Sequence, residues 1–251
     1  MLAAFLDLVL PPRCAGCGEP GSAACRACTA ELLRNPAARP PNPPPAGLPD
    51  CWSATTYDGA ARRMLLALKE RGRTVVAPVL AVCLARVVTA ALEVRTEPPD
   101  RWSRPLALVP VPSARAASRK RGHDPVRAVA EAAAAELRLL GPPVVSVPML
   151  RQSRRVADQA GLSSARRAAN LSGAFEVAPG RTGLLAALQR RGAVVVLVDD
   201  IVTTGSTLAE AARALRLAGA EVPLAVTVAA TPRRTATRPP GRNGRVLRRP
   251  A

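Results

Sequence analysis

The sequence predicts an α/β fold, a parallel sheet flanked by helices, with a small cysteine-rich unit at the N-terminus. Three observations carry that expectation. Between residues 52 and 229, short apolar or β-branched runs alternate with longer stretches of helical periodicity. Parallel strands joined by crossover helices require that order. The run Val-Val-Val-Leu-Val at 194–198 is apolar without a break, as suits a central strand covered on both faces. Four cysteines in two close pairs lie within the first 28 residues, ahead of everything that alternates.

Taken in order, residues 1–10 are apolar and interrupted by Asp7, which fits a short amphipathic helix. A basic start and a small-residue cleavage site are both missing from this opening, so it does not read as a targeting segment. Cys14, Cys17, Cys25 and Cys28 follow as C-x2-C-x7-C-x2-C. Each C-x2-C sets two thiolates on one tight turn, and Gly16 and Gly18 supply pliable backbone for it. Four sulfurs with no open position suit a structural Zn2+. An iron–sulfur cluster, disulfides or free thiols are the other readings. Cys51 and Cys83 stand alone and are expected to be packing residues. The N-terminal unit is assigned residues 1–35. Residues 36–49 hold seven prolines and are expected to form a stiff, extended linker.

The main body is assigned residues 50–231. Its expected elements begin with a strand at 52–57 and a helix at 60–71 with Met64, Leu65 and Leu68 on one face. The stretch 75–94 is mostly helical and largely buried, and Pro78 and Arg86 argue against a membrane span. A strand at 106–111 is followed by a helix capped by Asp124, with Pro125 at its first position and Gly141 as its stop. Further strands are expected at 144–149, 194–198 and 222–229, with a helix at 207–217 between the last two. Residues 232–251 contain seven arginines and no acid, which reads as a disordered basic tail.

The net charge is +18, and Lys69 and Lys120 are the only lysines. Such a balance attracts phosphates or nucleic acid; the other reading of the arginine excess is coding bias. No membrane span is expected, and the cytoplasm is the expected location.

The chemistry concentrates at 199–207. The central strand is expected to end at Asp199-Asp200, followed by Ile-Val-Thr-Thr-Gly-Ser-Thr opening a helix. Ligands of open α/β sheets sit beyond the carboxyl ends of strands. Two adjacent carboxylates repel unless hydroxyls or a cation meet them, and the turn offers N–H groups, hydroxyls and a helix N-terminus to a phosphate. Gly205 allows close approach. A phosphate next to a vicinal diol, as in ribose 5-phosphate, satisfies both halves. A Walker-type G-x-x-x-x-G-K-[ST] and a G-x-G-x-x-G opening a helix are both missing, so neither alternative nucleotide site is supported.

Residues 194–208 resemble the phosphoribosyl pyrophosphate (PRPP) motif of the type I phosphoribosyltransferases along its full length. The resemblance implies a phosphoribosyltransferase-like sheet in which Asp199 and Asp200 take the ribose hydroxyls. It assigns Thr203, Thr204, Gly205, Ser206 and Thr207 to the 5-phosphate, with Mg2+ bound alongside PRPP. A wider set of features resembles the ComF (competence protein F) family. These are Pro-Pro-Arg-Cys at 11–14, the four-cysteine knuckle, Tyr-Asp-Gly leading to Lys69, and Val-Pro-Val-Pro at 109–112. Arg121-Gly122, Gln159-x2-Leu162-x4-Arg167-x2-Asn170 and Gly173-Ala-Phe175 follow in the same order. Many relatives resemble Phe-Asn-Gln where this chain has His123-Asp124-Pro125.

The superfamily likeness also implies a pyrophosphate loop at Arg115, Arg119, Lys120 and Arg121, whose cations would neutralise the departing diphosphate. It implies a hood over the reacting carbon in 151–170, with Arg151, Gln159 and Arg167 as catalytic candidates and Asn170 beside them. A solvated basic loop and an ordinary surface loop are the plain alternatives. His123, the only histidine, fits an exposed helix start. Purine-salvage relatives carry a carboxylate where Thr203 stands, and the chain has only five aromatic residues, so no acceptor platform is visible. Two classes of function remain at this point. One is a transferase moving phosphoribose from PRPP to an acceptor. The other, implied by the ComF likeness, is a non-catalytic PRPP-binding protein handling DNA in natural competence, with single-stranded DNA as partner through salt-dependent contacts.

Overall fold

The computed structural model describes residues 12–95, 104–113, 124–154 and 170–232. Its centre is a six-stranded sheet in the order β1-β2-β8-β7-β3-β4. The strands are β1 (Ala37–Ala38), β2 (Asp50–Thr56), β3 (Leu106–Pro110), β4 (Val144–Ser146), β7 (Val194–Val202) and β8 (Leu224–Ala230). All pair in parallel except β1, which runs antiparallel to β2. A separate antiparallel pair joins β5 (Leu150–Gln152) to β6 (Phe175–Val177). Among the described residues the helices are α1 (Arg26–Leu33), α2 (Gly59–Lys69), α3 (Ala77–Arg95), α4 (Pro125–Arg138), α5 (Thr182–Arg190) and α6 (Ser206–Leu217). The fold is therefore a mostly parallel sheet between helical layers, with the cysteine cluster at its N-terminal edge.

Strand periodicity sorts the core into two halves. Val196 and Val198 point into a cluster built by α2, α3 and α4, whereas Val195 and Leu197 point into one built by α5, α6 and the β5–β6 pair. Successive side chains of a strand face opposite ways, so a strand clothed on both sides must be apolar at every position. Leu224–Ala230 is buried at all seven. The α3 helix with its preceding 3-10 turn is long and apolar enough to cross a membrane, yet more than half of its most apolar window is buried in the fold. Leu80, Leu84, Val87, Val88 and Ala91 are among the side chains it contributes to the core.

Asp124 caps α4 as its sequence pattern predicts, accepting from the N–H groups of Val126 at 3.1 Å and Arg127 at 3.4 Å. Two expected strand boundaries are corrected. The strand expected at 194–198 continues to Val202, because β8 extends the ladder beside Asp199, Ile201 and Val202. The strand expected at 144–149 stops at Ser146, and the chain then enters the other pair as β5. The proline-rich residues 36–49, expected to form a stiff, extended linker, make specific contacts with the body. Ala37 and Ala38 pair with Ser53 and Trp52, and Arg216 donates to the Gly47 carbonyl. Proline lacks an N–H donor, but the alanines between the prolines retain theirs. The knuckle also packs on the body, since Cys14, Cys28 and Leu32 belong to the core cluster under α2 and α3. The expected helix at 1–10 and the tail from 233 onward lie outside the described residues.

Candidate functional site

Topology sets the site's position. From β3 the chain crosses through α4 to β4 on one side, while from β7 it crosses through α6 to β8 on the other. The sheet thus reverses its winding between β3 and β7, where open α/β sheets bind ligands. The ladder between these two strands ends at Pro110↔Val198, whereas β7 stays paired with β8 for four residues more. Asp199 is the first residue past the point of separation. The acid pair therefore sits at the mouth of the crevice.

The two carboxylates have different neighbours. Asp200 is buried, and Lys69 Nζ at the end of α2 meets its Oδ2 at 2.5 Å. Burial works against the Lys69 charge, but the fields of Asp200 and then Asp199 outweigh it, so its pKa rises. Asp199 accepts the N–H of Asp200 on Oδ1 at 2.8 Å. Its pKa is pushed up to about 8, first by burial and then by repulsion from Asp200, with Lys69 pulling the other way. Near neutral pH Asp199 therefore holds a proton for much of the time, which a ribose hydroxyl or a cation would displace. Thr227, opposite Asp199 on β8, is fully buried and shares a hydroxyl contact of 2.6 Å with Ser53 on β2. Thr227 donates to the Ala229 carbonyl at 3.1 Å, which leaves Ser53 as donor to Thr227.

The turn after β7 has the form its residues require. Gly205 adopts φ +75° as the N-cap of α6 and gives the helix no side-chain cap. The first N–H groups of a helix need partners from elsewhere. Thr204 Oγ1 lies 3.5 Å from the Ser206 N–H, and a phosphate is the kind of group that the remaining donors and the helix dipole favour. Thr204 Oγ1 and Ser206 Oγ lie 3.1 Å apart, while Thr203 is exposed. From the other side, a Cβ on Gly205 would meet Pro41 Cγ at 3.0 Å and Leu48 Cδ1 at 3.3 Å. The proline-rich segment therefore buttresses this turn. The structure brings Asp199, Asp200 and Thr203 to Thr207 together as the sequence predicts, and adds Lys69. Its being one of only two lysines was the only signal for it in the residues themselves.

The remaining candidates are placed unevenly. Arg115, Arg119, Lys120, Arg121 and His123 lie outside the described residues. The stems of their loop are joined, since Asp124 Oδ1 accepts the Ser113 hydroxyl at 2.9 Å and Oδ2 the Ser113 N–H at 3.3 Å. Arg151 lies on β5 and pairs with Glu176 on β6 at 2.6 Å. Gln159 and Arg167 lie outside the described residues, and the Asn170 carbonyl accepts from Arg154 at 2.8 Å.

At the other end of the chain the four sulfurs of Cys14, Cys17, Cys25 and Cys28 all lie within 4.8 Å of one another. Tetrahedral Zn–S bonds of about 2.3 Å put sulfurs about 3.8 Å apart, and Cys17 and Cys25 are 3.6 Å apart. No pair is bonded, and all six cysteines are free thiols. The N–H groups of Gly16 and Cys25 point at Cys14 Sγ from 3.3 and 3.2 Å. Burial alone would raise the Cys14 thiol, but these N–H groups and that of Cys17 bring it down to about 6. Such donors stabilise thiolate ligands. The donor set fits a metal such as zinc. Arg63 to the Gly16 carbonyl and Arg73 to the Arg13 carbonyl at 2.5 Å fasten the cluster to the body. Cys51 and Cys83 are buried, and burial pushes both thiols up to about 12.

A search of curated proteins found no match for the chain. Residues 126–243 match the family model described as the phosphoribosyl transferase domain, and this match, a little under half of the sequence, takes in α4, the acid pair and the turn that opens α6. It supports placing this part of the chain in the type I phosphoribosyltransferase superfamily.

Proposed function

We propose that the protein binds PRPP at the crevice between β3 and β7 and transfers its phosphoribosyl group to an acceptor. The observation that carries this is the acid pair at the point where β3 leaves β7, followed directly by the uncapped start of α6. Asp199 and Asp200 accept hydrogen bonds from the ribose diol. The N–H groups and hydroxyls of Thr203 to Thr207 hold the 5-phosphate. Lys69 offsets one of the two negative charges and keeps Asp200 aimed at the crevice. Mg2+, when bound with PRPP, neutralises diphosphate oxygens. In the transfer the bond from C1 to diphosphate breaks, and diphosphate leaves with the electron pair. A bond from C1 to the acceptor forms, and the acceptor gives up a proton to the released diphosphate or to water. In this reading Arg115, Arg119, Lys120 and Arg121 neutralise the departing diphosphate, and Arg151, Gln159 and Arg167 serve the reacting carbon. The four cysteines hold a structural Zn2+.

Calorimetry with PRPP and Mg2+ tests the reading. The wild type binds, and Asp199→Asn/Asp200→Asn does not while its circular dichroism stays native. Equal affinity in the two proteins rejects the site. A second reading, PRPP binding without turnover, is favoured by the exposed hydroxyl of Thr203 where a transferase would profit from a base. Diphosphate release with a panel of bases and amines separates the two.

A further inference from the structure

One helix joins the cysteine cluster to the acid pair. α2 ends at Lys69, whose Nζ meets Asp200 at 2.5 Å. Its 11 residues make a rod roughly 16 Å long, and a helix transmits displacement along such a length. Its start is capped from the cysteine-bearing unit. Asp58, the N-cap, makes no side-chain cap bond. Instead Glu31 of α1 reaches across, and its Oε1 accepts the Ala60 N–H at 3.5 Å. A Cβ on Gly59 would stand 2.8 Å from that oxygen. The glycine of Tyr-Asp-Gly therefore gives room to a carboxylate from another part of the chain, and an acid at this end suits the helix dipole.

The same unit grips the helix twice more. Arg63 donates to the carbonyl of Gly16, which lies between Cys14 and Cys17. Gly16 is itself wedged between the cluster and the helix, since a Cβ there would meet Cys28 Sγ at 2.7 Å and Met64 Cε at 3.0 Å. Just past α2, Arg73 gives its N–H to the Ala67 carbonyl at 3.0 Å and its guanidinium to the Arg13 carbonyl at 2.5 Å. Gly16 and Arg13 are held in turn by the cysteine turns, because Cys14 Sγ takes the N–H groups of Gly16 and Cys25. Four sulfurs within 4.8 Å of one another need a cation between them once ionised, and metal binding to such a set is also the folding energy of its turns. Lys69 lies six positions beyond Arg63 on the same helix, about 9 Å along the axis. A tilt of α2 at the cluster therefore moves the ammonium at the acids.

We propose that α2 couples the two sites, so that metal held by the four cysteines and PRPP held at the crevice each tighten the binding of the other. The inference rests on the PRPP reading and gives the knuckle a part in controlling it. With metal bound, Glu31, Arg63 and Arg73 act as positioning residues, and the helix they hold keeps Lys69 against Asp200. With metal lost, the turns have no common centre, the three attachments slacken, and the acid pair faces the sugar with its repulsion uncompensated. PRPP in turn favours the ordered Asp200 and with it the held helix. Coupling between two binding sites is reciprocal, so one factor describes both directions.

Zinc and PRPP are themselves the probes, in the full chain. Zinc affinity is read by competition with a chromophoric zinc chelator, with and without PRPP and Mg2+. PRPP is expected to tighten zinc at least about fivefold, the low end of coupling between sites. Global folding links any two ligands of the native state, so a variant must break the helix path alone. Glu31→Ala/Arg63→Met removes two attachments and no sulfur, and both side chains are exposed. It is expected to keep one zinc and native circular dichroism while PRPP no longer alters its zinc affinity. Arg63→Lys, which still offers a donor to Gly16, is expected to keep the effect. Zinc affinity indifferent to PRPP in the wild type, or an effect undiminished in the double variant, overturns the proposal. Calorimetry of PRPP on the zinc-loaded wild type separates the failures. PRPP binding that leaves zinc affinity unchanged removes the coupling alone, whereas no PRPP binding removes the parent reading as well.

Discussion

Replacing Lys69 by methionine isolates the electrostatics of the acid pair. The ammonium lies 2.5 Å from Asp200, whose side chain is 11% exposed, while that of Lys69 is 33% exposed. Breaking a fully buried pair from one side costs about 3–5 kcal/mol, and an exposed pair is worth about 0–1 kcal/mol. With one partner buried and the other a third exposed, we expect a loss of about 2 kcal/mol at pH 9, or roughly 4–8 °C in Tm for a chain of this size. The pH dependence identifies the cause. Asp199 has a folded pKa of about 8 against about 3.9 unfolded. Between those values the folded state binds more protons than the unfolded one, so stability falls as pH rises through the window. Lys69 opposes this. Its own pKa is raised, so its contribution is complete below the unfolded value near 10.4 and is lost only above it. Without Lys69 both acids face each other uncompensated, and the added cost grows as Asp199 ionises. Urea midpoints at pH 5, 7 and 9 are therefore expected to show at pH 5 the deficit from the lost Asp200 pair and a larger one at pH 9, where Asp199 has ionised as well. A deficit that does not grow with pH would mean that Lys69 does not offset the ionisation of Asp199, and that part of the account would fail.

The remaining perturbations address the other parts. Asp199→Asn removes a carboxylate that the fold ionises at a cost, so it is expected to raise Tm by several degrees at pH 9 and by less at pH 5, since the cost accumulates from the unfolded value near 3.9 up to about 8, and to abolish the PRPP heat; a lower Tm at pH 9 contradicts the buried-charge assignment. Gly205→Ala places a Cβ at φ +75° and against Pro41. That is expected to cost roughly 1–2 kcal/mol from the backbone alone, with further loss from the contact. Adding Pro41→Ala is expected to recover the steric part and not the backbone part, as read by urea unfolding. Cys14→Ser is expected to lose about one equivalent of zinc by elemental analysis and to lower Tm for the whole chain, since Cys14 and Cys28 lie in the core cluster with α2 and α3; a normal metal content removes the cluster as a zinc site.

The sheet was legible where residue type and burial coincide. An unbroken β-branched run admits few alternatives to a doubly covered strand, and 194–198 and 222–229 mark strands that the structure contains as β7 and β8. The Asp124 cap could be read because capping is local: an acid, a proline at the next position, then apolar residues at helical spacing. Short elements were not legible. Phe175–Val177 is three residues long and pairs with Leu150–Gln152, so neither strand has enough period to show without its partner. The extent of β7 was misread for a related reason. Asp199 and Asp200 look like a strand end because strands disfavour acids, yet β8 holds their backbone in the ladder.

The site divides along the same line. Asp199 to Thr207 form one contiguous stretch in which strand, turn and helix start each ask for the residue types present, so their grouping was visible before any fold was known. Lys69 reaches that stretch from more than 100 residues away, and apart from its place after Tyr-Asp-Gly in the family resemblance nothing local marks it. A lysine ending a helix reads as a favourable dipole partner. Only the parallel pairing of β2 with β8, and of β8 with β7, brings the ends of β2 and α2 beside the acids. The proline-rich segment runs from Pro41 at the Gly205 turn to Gly47 beside Arg216 near the end of α6, and then enters β2 at the amino end of the sheet. Its prolines cannot donate to the sheet, and they cover the Gly205 turn by van der Waals contact instead. A composition that suggests a spacer thus serves as the wall of the site, since both roles ask for a stiff chain with few donors.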